Sequence, residues 1–510
     1  MVTFLPRPAN FNGFVHRSGT TLLDGSGNEL LLRGMGIGNW MLPEGYMWKF
    51  GEGAASPREI EALIVRLIGA SSASTFWDGF REAFFNESDV ALIASAGFDH
   101  IRLPINSRLV IADDGSFIES GFTMIDDVIR WCRAHNLWVL LDLHGAPGGQ
   151  TGTNIDDSPR NLPELFMDDR YRSLTVELWR ELARRYADET VVCGYDLLNE
   201  PIPNEWTERF NPDLAELYRE LTEVIRSVDQ NHLIVYEGSH WATNWDIFTE
   251  VWDANSCLQF HKYWSPPDTA TIRTFLDARD RLGLPIYMGE GGENNLEWLY
   301  TAWRLYESND IGWNFWPWKK IDTRTSPASI APPPGWDDII AHVAGGPAPT
   351  PEAAQLTLNE LLMNMRIENC VWQPEIVQAI TAMSPTEIPA WGFGFRGTGE
   401  SYLTAPGTAS PLAEMRDTDD VSVSYAMVAD RAGHWFEQTD GRDYSDTERM
   451  QVTLAPGDWL EYELSGVDDV SRVTVTDCAG LIVDVVVVFT PRGMRVTAPD
   501  GAVFARITTR

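Results

Sequence analysis

Between residues 30 and 320 the hydrophobic positions fall into two alternating textures. Short runs are apolar at nearly every position, as strands covered on both faces must be. Longer stretches carry apolar residues three and four apart, the period of a helix with one buried face. Eight runs read as strands: Leu30–Gly36, His100–Leu103, Trp138–Leu143, Val192–Leu197, Leu233–Glu237, Ser256–Phe260, Pro285–Met288 and Ile311–Trp316. One helix is predicted to begin at Ser56-Pro57-Arg58-Glu59, a capping box with Pro in the first helical position. Another covers Tyr171–Ala187, with Leu174, Leu178, Leu182 and Tyr186 on one face. Eight strand–helix units in succession predict an α/β fold, a (β/α)8 TIM barrel. An open doubly wound sheet is the alternative.

A Pro-rich stretch, Pro332–Pro351, follows the eighth strand, and Glu352–Ile380 is predicted as the last barrel helix. From about Pro385 the texture changes to short strand-like runs such as Val452–Leu454, Leu460–Leu464, Val473–Val475 and Leu481–Phe489. This predicts two domains, a catalytic barrel over 1–385 and a smaller C-terminal β-sandwich over 386–510. There is no internal repeat.

Composition narrows the function. The 510 residues carry 39 Lys and Arg against 74 Asp and Glu, a formal charge of −35. Such a chain offers phosphates no basic surface, so nucleic acid is excluded as a partner. The acidity is spread out: residues 386–510 alone hold 20 acids against 10 Arg. No apolar run approaches the roughly 18–20 residues of a membrane span. The first ten residues contain Pro6 and Pro8 and no apolar h-region, and the five cysteines are scattered without C-x-x-C spacing. Together these predict reduced thiols and a cytoplasmic location. Gly34-Met35-Gly36-Ile37-Gly38 does not continue into a dinucleotide loop, and no Gly-x-Ser-x-Gly is present, so neither a nucleotide cofactor nor a hydrolase elbow is expected. No oligomeric state is assigned.

In a barrel, chemistry sits at the C-terminal ends of the strands. There the chain places Trp40 and Glu44, Arg102, Asp142 and His144, Asn199-Glu200-Pro201, Glu237, His261 and Tyr263, Glu290, and Trp316-Pro317-Trp318-Lys319. Two carboxylates on neighbouring strands point to glycoside hydrolysis: one protonates the leaving oxygen while the other attacks or activates water. Glu200 and Glu290 are the candidates, with Tyr263 and Arg102 placed to orient Glu290. Trp316 is expected as a floor under the sugar ring. Glu44, Glu237 and Glu293 are rival carboxylates. A metal-dependent barrel built on His144, His240 and His261 is the weaker reading, because no His-x-His or His-Glu-x-x-His pair exists. A catalytically silent sugar-binding protein is a third, and no metal or cofactor is expected. Only four lysines occur (Lys49, Lys262, Lys319, Lys320), against 35 Arg. All lie in strand-end loops, which predicts that Lys49, Lys262 and Lys319 face the substrate.

Over roughly residues 10–385 the sequence resembles the retaining glycoside hydrolases of family five. Arg102, His144, Asn199, Glu200, His261, Tyr263, Glu290 and Trp316 fall at that family's shared active-site positions. The resemblance implies Glu200 as acid/base, Glu290 as nucleophile, His261 and Tyr263 as their supports, and His144 and Asn199 as sugar-binding groups. His144-Gly145-Ala146-Pro147-Gly148-Gly149-Gln150, Trp40–Glu44 and Trp316–Lys319 look like the exo-β-glucanase and β-glucosidase branch, in which the glutamate at Glu44 holds the terminal glucose. Exo action on β-glucosides is therefore expected. Endo action on a β-glucan or mannan, or cleavage of a diglycoside or glycolipid, are the alternatives. Gly457-Asp458-Trp459-Leu460-Glu461-Tyr462-Glu463 is similar to a motif of β-sandwich carbohydrate-binding modules, with His434-Trp435-Phe436-Glu437 and Tyr444 adding further aromatics that could stack on sugar.

Overall fold

The computed structural model describes residues 8–405, 412, 415–427 and 436–510. Eight parallel strands close into a barrel: β1 (Arg33–Gly36), β2 (His100–Asn106), β3 (Trp138–Gly145), β4 (Val192–Asp196), β5 (Leu233–Glu237), β6 (Ser256–His261), β7 (Ile286–Gly292) and β8 (Gly312–Trp316). β8 returns to pair with β1, Trp313 opposite Arg33 and Phe315 opposite Met35. The expectation of a closed barrel over an open sheet is met. β2 to β8 are buried along their whole length, which explains their uninterrupted apolar texture.

The first predicted strand is shorter than expected. Glu29–Leu30 pairs instead with Thr21–Leu23 in a small antiparallel sheet ahead of the barrel. The helix expected over Glu352–Ile380 is two helices, Pro351–Asn364 and Pro374–Thr381. Between them Val371–Trp372 pairs with Ala328–Ser329, and Pro374, lacking an N–H, opens the second helix instead of continuing the first. The predicted start at Ser56 holds: Pro57–Ile68 is a helix, and Glu59 accepts the N–H groups of Ala55 and Ser56 at 2.8 and 3.1 Å.

Close packing at the open end is permitted by a missing side chain. A Cβ on Gly36 would lie 2.6 Å from the Trp316 ring, so the indole swings over the barrel mouth only because β1 carries Gly there. Many of the 21 tryptophans are structural. Trp48 is fully buried against Phe50, Phe80, Trp77 and Trp336.

Beyond the barrel the described residues form three strand-rich sheets, opening with Glu387–Pro389 paired to Arg506–Thr508. They pack on the helix Leu296–Ser308 that follows β7. Tyr300 donates to the Glu463 carbonyl at 2.6 Å, Trp391 donates to Glu297 at 3.2 Å, and Arg304 meets Glu463 at 3.3 Å. Covered by barrel on one side and sheets on the other, that helix is buried at every position from Trp298 to Ser308. No helix among the described residues is long and apolar enough to cross a membrane. All five cysteines are free thiols.

Candidate active site

The C-terminal ends of the strands surround a cavity of about 890 Å³. Glu44, His144, Glu200, His261, Tyr263, Glu290 and Trp316 line it, and Arg102 and Asn199 lie directly behind.

The barrel lumen beneath is organised by one cation. Arg102, from β2, is fully buried and meets Asp142 at 3.2 Å, Asp196 at 2.9 Å, Glu237 at 3.0 Å and Glu290 at 2.9 Å. Its remaining hydrogen bond goes to Asn199 Oδ1 at 2.8 Å. That bond turns the Asn199 amide so that Nδ2 faces His144 Nε2 at 3.3 Å, and Asp142 holds His144 Nδ1 at 2.8 Å. Burial lowers the His144 pKa to about 4, so its ring is neutral, with one nitrogen committed to Asp142. Asp142 therefore orients its neighbour.

Glu200 sits just beyond β4 with φ 42°, a left-handed backbone that costs a non-glycine residue on the order of 1–3 kcal/mol. Glu237 holds it there, accepting the Glu200 N–H at 2.7 Å. This is the work of one rival carboxylate: Glu237 is a buried brace, also bonded by Gln259 and facing His261 Nε2 at 3.3 Å. Burial alone would raise Glu237, but His261 and Arg102 outweigh it and keep it below the usual carboxylate range. His261 spans the carboxylates, with Nδ1 2.7 Å from Glu200 Oε1. Burial would lower its pKa, yet Glu237, Glu290 and Glu200 outweigh that and lift the ring well above the ordinary histidine value.

Glu290 ends the straight part of β7. Tyr263 donates to its Oε1 at 2.8 Å and Arg102 to its Oε2 at 2.9 Å. Burial, reinforced by the charge of Glu200, raises Glu290 to about 7 against the pull of His261 and Arg102. Oxygens of Glu200 and Glu290 and a nitrogen of His261 lie within 4.8 Å of one another. These are the residues best placed to hold a cation. Their lone pairs are already engaged by Arg102, Tyr263 and one another, and a divalent ion there would sit against the Arg102 guanidinium.

Trp316 forms one face of the cavity. Its ring stacks on His144 with centroids 5.3 Å apart and planes 11° apart, and its Nε1 donates to Tyr46 at 3.0 Å. Glu44 presents a buried carboxyl that accepts no hydrogen bond among the described residues. Burial and the charges of Glu290, Glu293 and Glu200 hold it well above the ordinary carboxylate pKa.

Three residues expected at the substrate lie elsewhere, Trp40, Lys319 and Lys262. Trp40 is buried against Phe85 and donates to the Arg81 carbonyl at 2.9 Å, part of the packing under the Ala70–Phe84 helix. Lys319 is fully buried on the far side of its strand, bonded to Asp89 at 2.7 Å and to the Met365 carbonyl at 2.9 Å. The reason is strand alternation: Lys319–Ile321 is a short strand, so successive side chains point to opposite faces. Lys320, which was not expected, is the one that faces the cavity, paired with Glu293. Trp318 donates to Asp89, beside Lys319. Lys49 lines the cavity and Lys262 does not. Tyr46, Trp241, Trp264 and the 322–324 loop also line the walls; of these only Trp264, at the end of its strand, was expected from the sequence to meet a sugar.

In the C-terminal sheets, Tyr444 and Tyr462 are buried, and Tyr462 donates to the Ala390 carbonyl at 2.6 Å. Trp459 is capped by the Arg495 guanidinium 3.7 Å from its ring centre. His434 and Trp435 lie outside the described residues.

The family model Cellulase (glycosyl hydrolase family 5) matches residues 65–322, just over half of the chain and most of the barrel. The chain belongs to glycosyl hydrolase family 5. It is 28% identical to a Beta-xylosidase of Phanerodontia chrysosporium over 60% of this chain and 70% of that protein. It is 30% identical to a Probable glucan 1,3-beta-glucosidase A of Aspergillus clavatus over 46% of this chain and 55% of that protein. Endoglucanase C of Acetivibrio thermocellus is 26% identical over 47% of this chain and 86% of its own length. Among solved structures, an endogalactoceramidase aligns over 98% of this chain and 100% of its own, at 16% identity and a TM-score of 0.47. As a family 5 member, the protein is a glycoside hydrolase, and its substrate is a carbohydrate.

Proposed function

We propose that this family 5 hydrolase is an exo-acting β-glycosidase that cleaves β-glucosides with retention, by double displacement. The observation that carries this reading is the approach of Glu200 and Glu290, whose nearest oxygens lie within 4.8 Å. Retaining enzymes hold their carboxyls about 5–5.5 Å apart, whereas inverting ones leave about 6.5–9.5 Å for a water.

Glu290, its negative charge stabilised by Arg102 and Tyr263, attacks the anomeric carbon as the bond to the leaving oxygen breaks, and Glu200 gives that oxygen its proton. Glu200 then takes a proton from water. The water oxygen bonds to the anomeric carbon and Glu290 departs. Trp316 offers an apolar face to the sugar ring. The unengaged acceptor at Glu44 suits the outer hydroxyls of a terminal sugar, and this favours exo over endo action. The endoglucanase relative keeps endo action as the alternative.

The test is hydrolysis of 4-nitrophenyl β-glucoside and β-xyloside, with the first-formed anomer followed by proton NMR. The β-anomer appears first if the reading holds. First appearance of the α-anomer overturns retention, and activity confined to internal bonds of long glucans overturns exo action. The xyloside is included because a relative bears the name Beta-xylosidase.

The pH profile carries a sign. Glu290 attacks only as the anion, and burial with the charge of Glu200 raises it to about 7. kcat/KM is therefore expected to rise as pH rises through about 7, because the nucleophile ionises. A profile flat from pH 5 to 9 would contradict the raised value.

A further inference from the structure

The cavity is not walled by the barrel alone. Thr439 and Asp440, which belong to the C-terminal sheets by sequence, line it together with Asp322, Thr323 and Arg324 from the loop after β8. One hydrogen bond to the barrel and one close backbone approach hold this turn in place. The buried Asn294, four residues beyond Glu290, donates from Nδ2 to the Phe436 carbonyl at 2.6 Å. The turn is closed by the Gly441 N–H, which donates to the Gln438 carbonyl at 2.8 Å. Gly441 itself has φ 68°, and a Cβ there would come 3.1 Å from the Arg324 carbonyl and 2.9 Å from Thr325. Only a glycine lets the turn press so closely on the loop after β8. Phe436 and Gln438 are buried, while Thr439 and Asp440 are exposed at the cavity mouth.

The position of the turn defines its use. Glu44, His144 and Trp316 occupy the inner end with the reacting carboxylates, so the mouth is where the leaving group departs. Trp264, 40% exposed, and Trp241 supply aromatic faces on that rim, and Arg324 and Asp440 supply a donor and an acceptor. Aromatic faces with charged hydrogen-bonding groups between them suit a ring rich in hydroxyls, and they suit a lipid chain poorly. We propose that the 436–441 turn is a leaving-group-binding element, in which Asp440 accepts hydroxyl hydrogen bonds from a departing sugar. This assignment rests on the glycosidase reading above. It makes the C-terminal sheets part of the active site, acting where they stand.

The test uses the full chain, with Asp440→Ala and Gly441→Val compared with wild type. The readout is the ratio of kcat/KM on β-1,3- and β-1,4-linked glucose disaccharides to kcat/KM on 4-nitrophenyl β-glucoside. Asp440→Ala lowers this ratio about tenfold, the scale of one hydrogen bond to a charged group, with an unchanged melting temperature. Gly441→Val, which lifts the turn off Arg324, lowers it in the same direction. A ratio within twofold of wild type for both variants overturns the proposal while leaving the glycosidase reading intact. An equal loss on both substrate types also overturns it, since that is the result of a structural role. A wild-type enzyme inactive on every β-glycoside fails the glycosidase reading, and the turn assignment falls with it.

Discussion

Glu290→Ala lowers kcat on 4-nitrophenyl β-glucoside by at least about 10⁴-fold, the scale on which loss of a covalent nucleophile is felt. Azide then restores turnover and yields the α-glucosyl azide, because the small anion enters the space vacated by the carboxylate and attacks from the same face. Glu200→Ala differs in kind. With a leaving group that departs without protonation, its first step survives, the glycosyl-enzyme accumulates, and azide releases the β-azide. The two azide products distinguish the roles more sharply than the rate losses do, since truncating either member of a coupled pair is costly. A β-azide from Glu290→Ala would reverse the assignment of attacking and protonating groups.

The second large effect concerns stability. Arg102→Met is expected to destabilise the fold by at least about 3–5 kcal/mol, the cost of removing one partner from a buried ion pair. Here a single guanidinium serves four buried carboxylates, and Met fills the volume without supplying charge. The effect has a pH signature. Burial raises Asp142 to about 7 and Asp196 well above the ordinary value even with Arg102 present. A carboxyl whose folded pKa exceeds its unfolded value supports the fold fully below the unfolded pKa and loses that support as pH rises through the folded one. Without Arg102 these pKa values climb further. The melting-temperature gap between wild type and variant should then be narrow near pH 5 and wide at pH 8. A pH-independent gap, or none, would show that the lumen carboxylates are stabilised by something other than Arg102.

The legibility of the site followed the physics of each position. Arg102, His144, Glu200, His261, Tyr263, Glu290 and Trp316 were readable because a parallel strand ends at a definite residue and the barrel gathers all eight ends at one rim. Sequence distance from an apolar run therefore predicted spatial position. Trp40 and Lys319 failed the same logic because they lie in the loops beyond, where a turn or a short strand sets the facing. Lys319 and Lys320 are adjacent and chemically identical, and the pairing of Lys319–Ile321 with Ala328–Ile330 alone decides which one meets the cavity. Glu237 stood as one carboxylate among rivals until its bond to the Glu200 N–H showed it to be a brace.

The run of eight strands, the strand-rich texture of the C-terminal region and the presence of carboxylates at the strand ends were legible in local pattern, because burial on both faces and the helical period are written residue by residue. What only the tertiary structure decided are the meetings between distant segments. Four carboxylates converge on Arg102 from β3, β4, β5 and β7, and the oxygens of Glu200 and Glu290 approach within 4.8 Å. The turn at Thr439–Asp440 reaches a cavity built from residues 44–324, held by Asn294 and the bare backbone of Gly441. Such contacts depend on chain closure and on backbone approach, and neither leaves a period or a motif in the order of the residues.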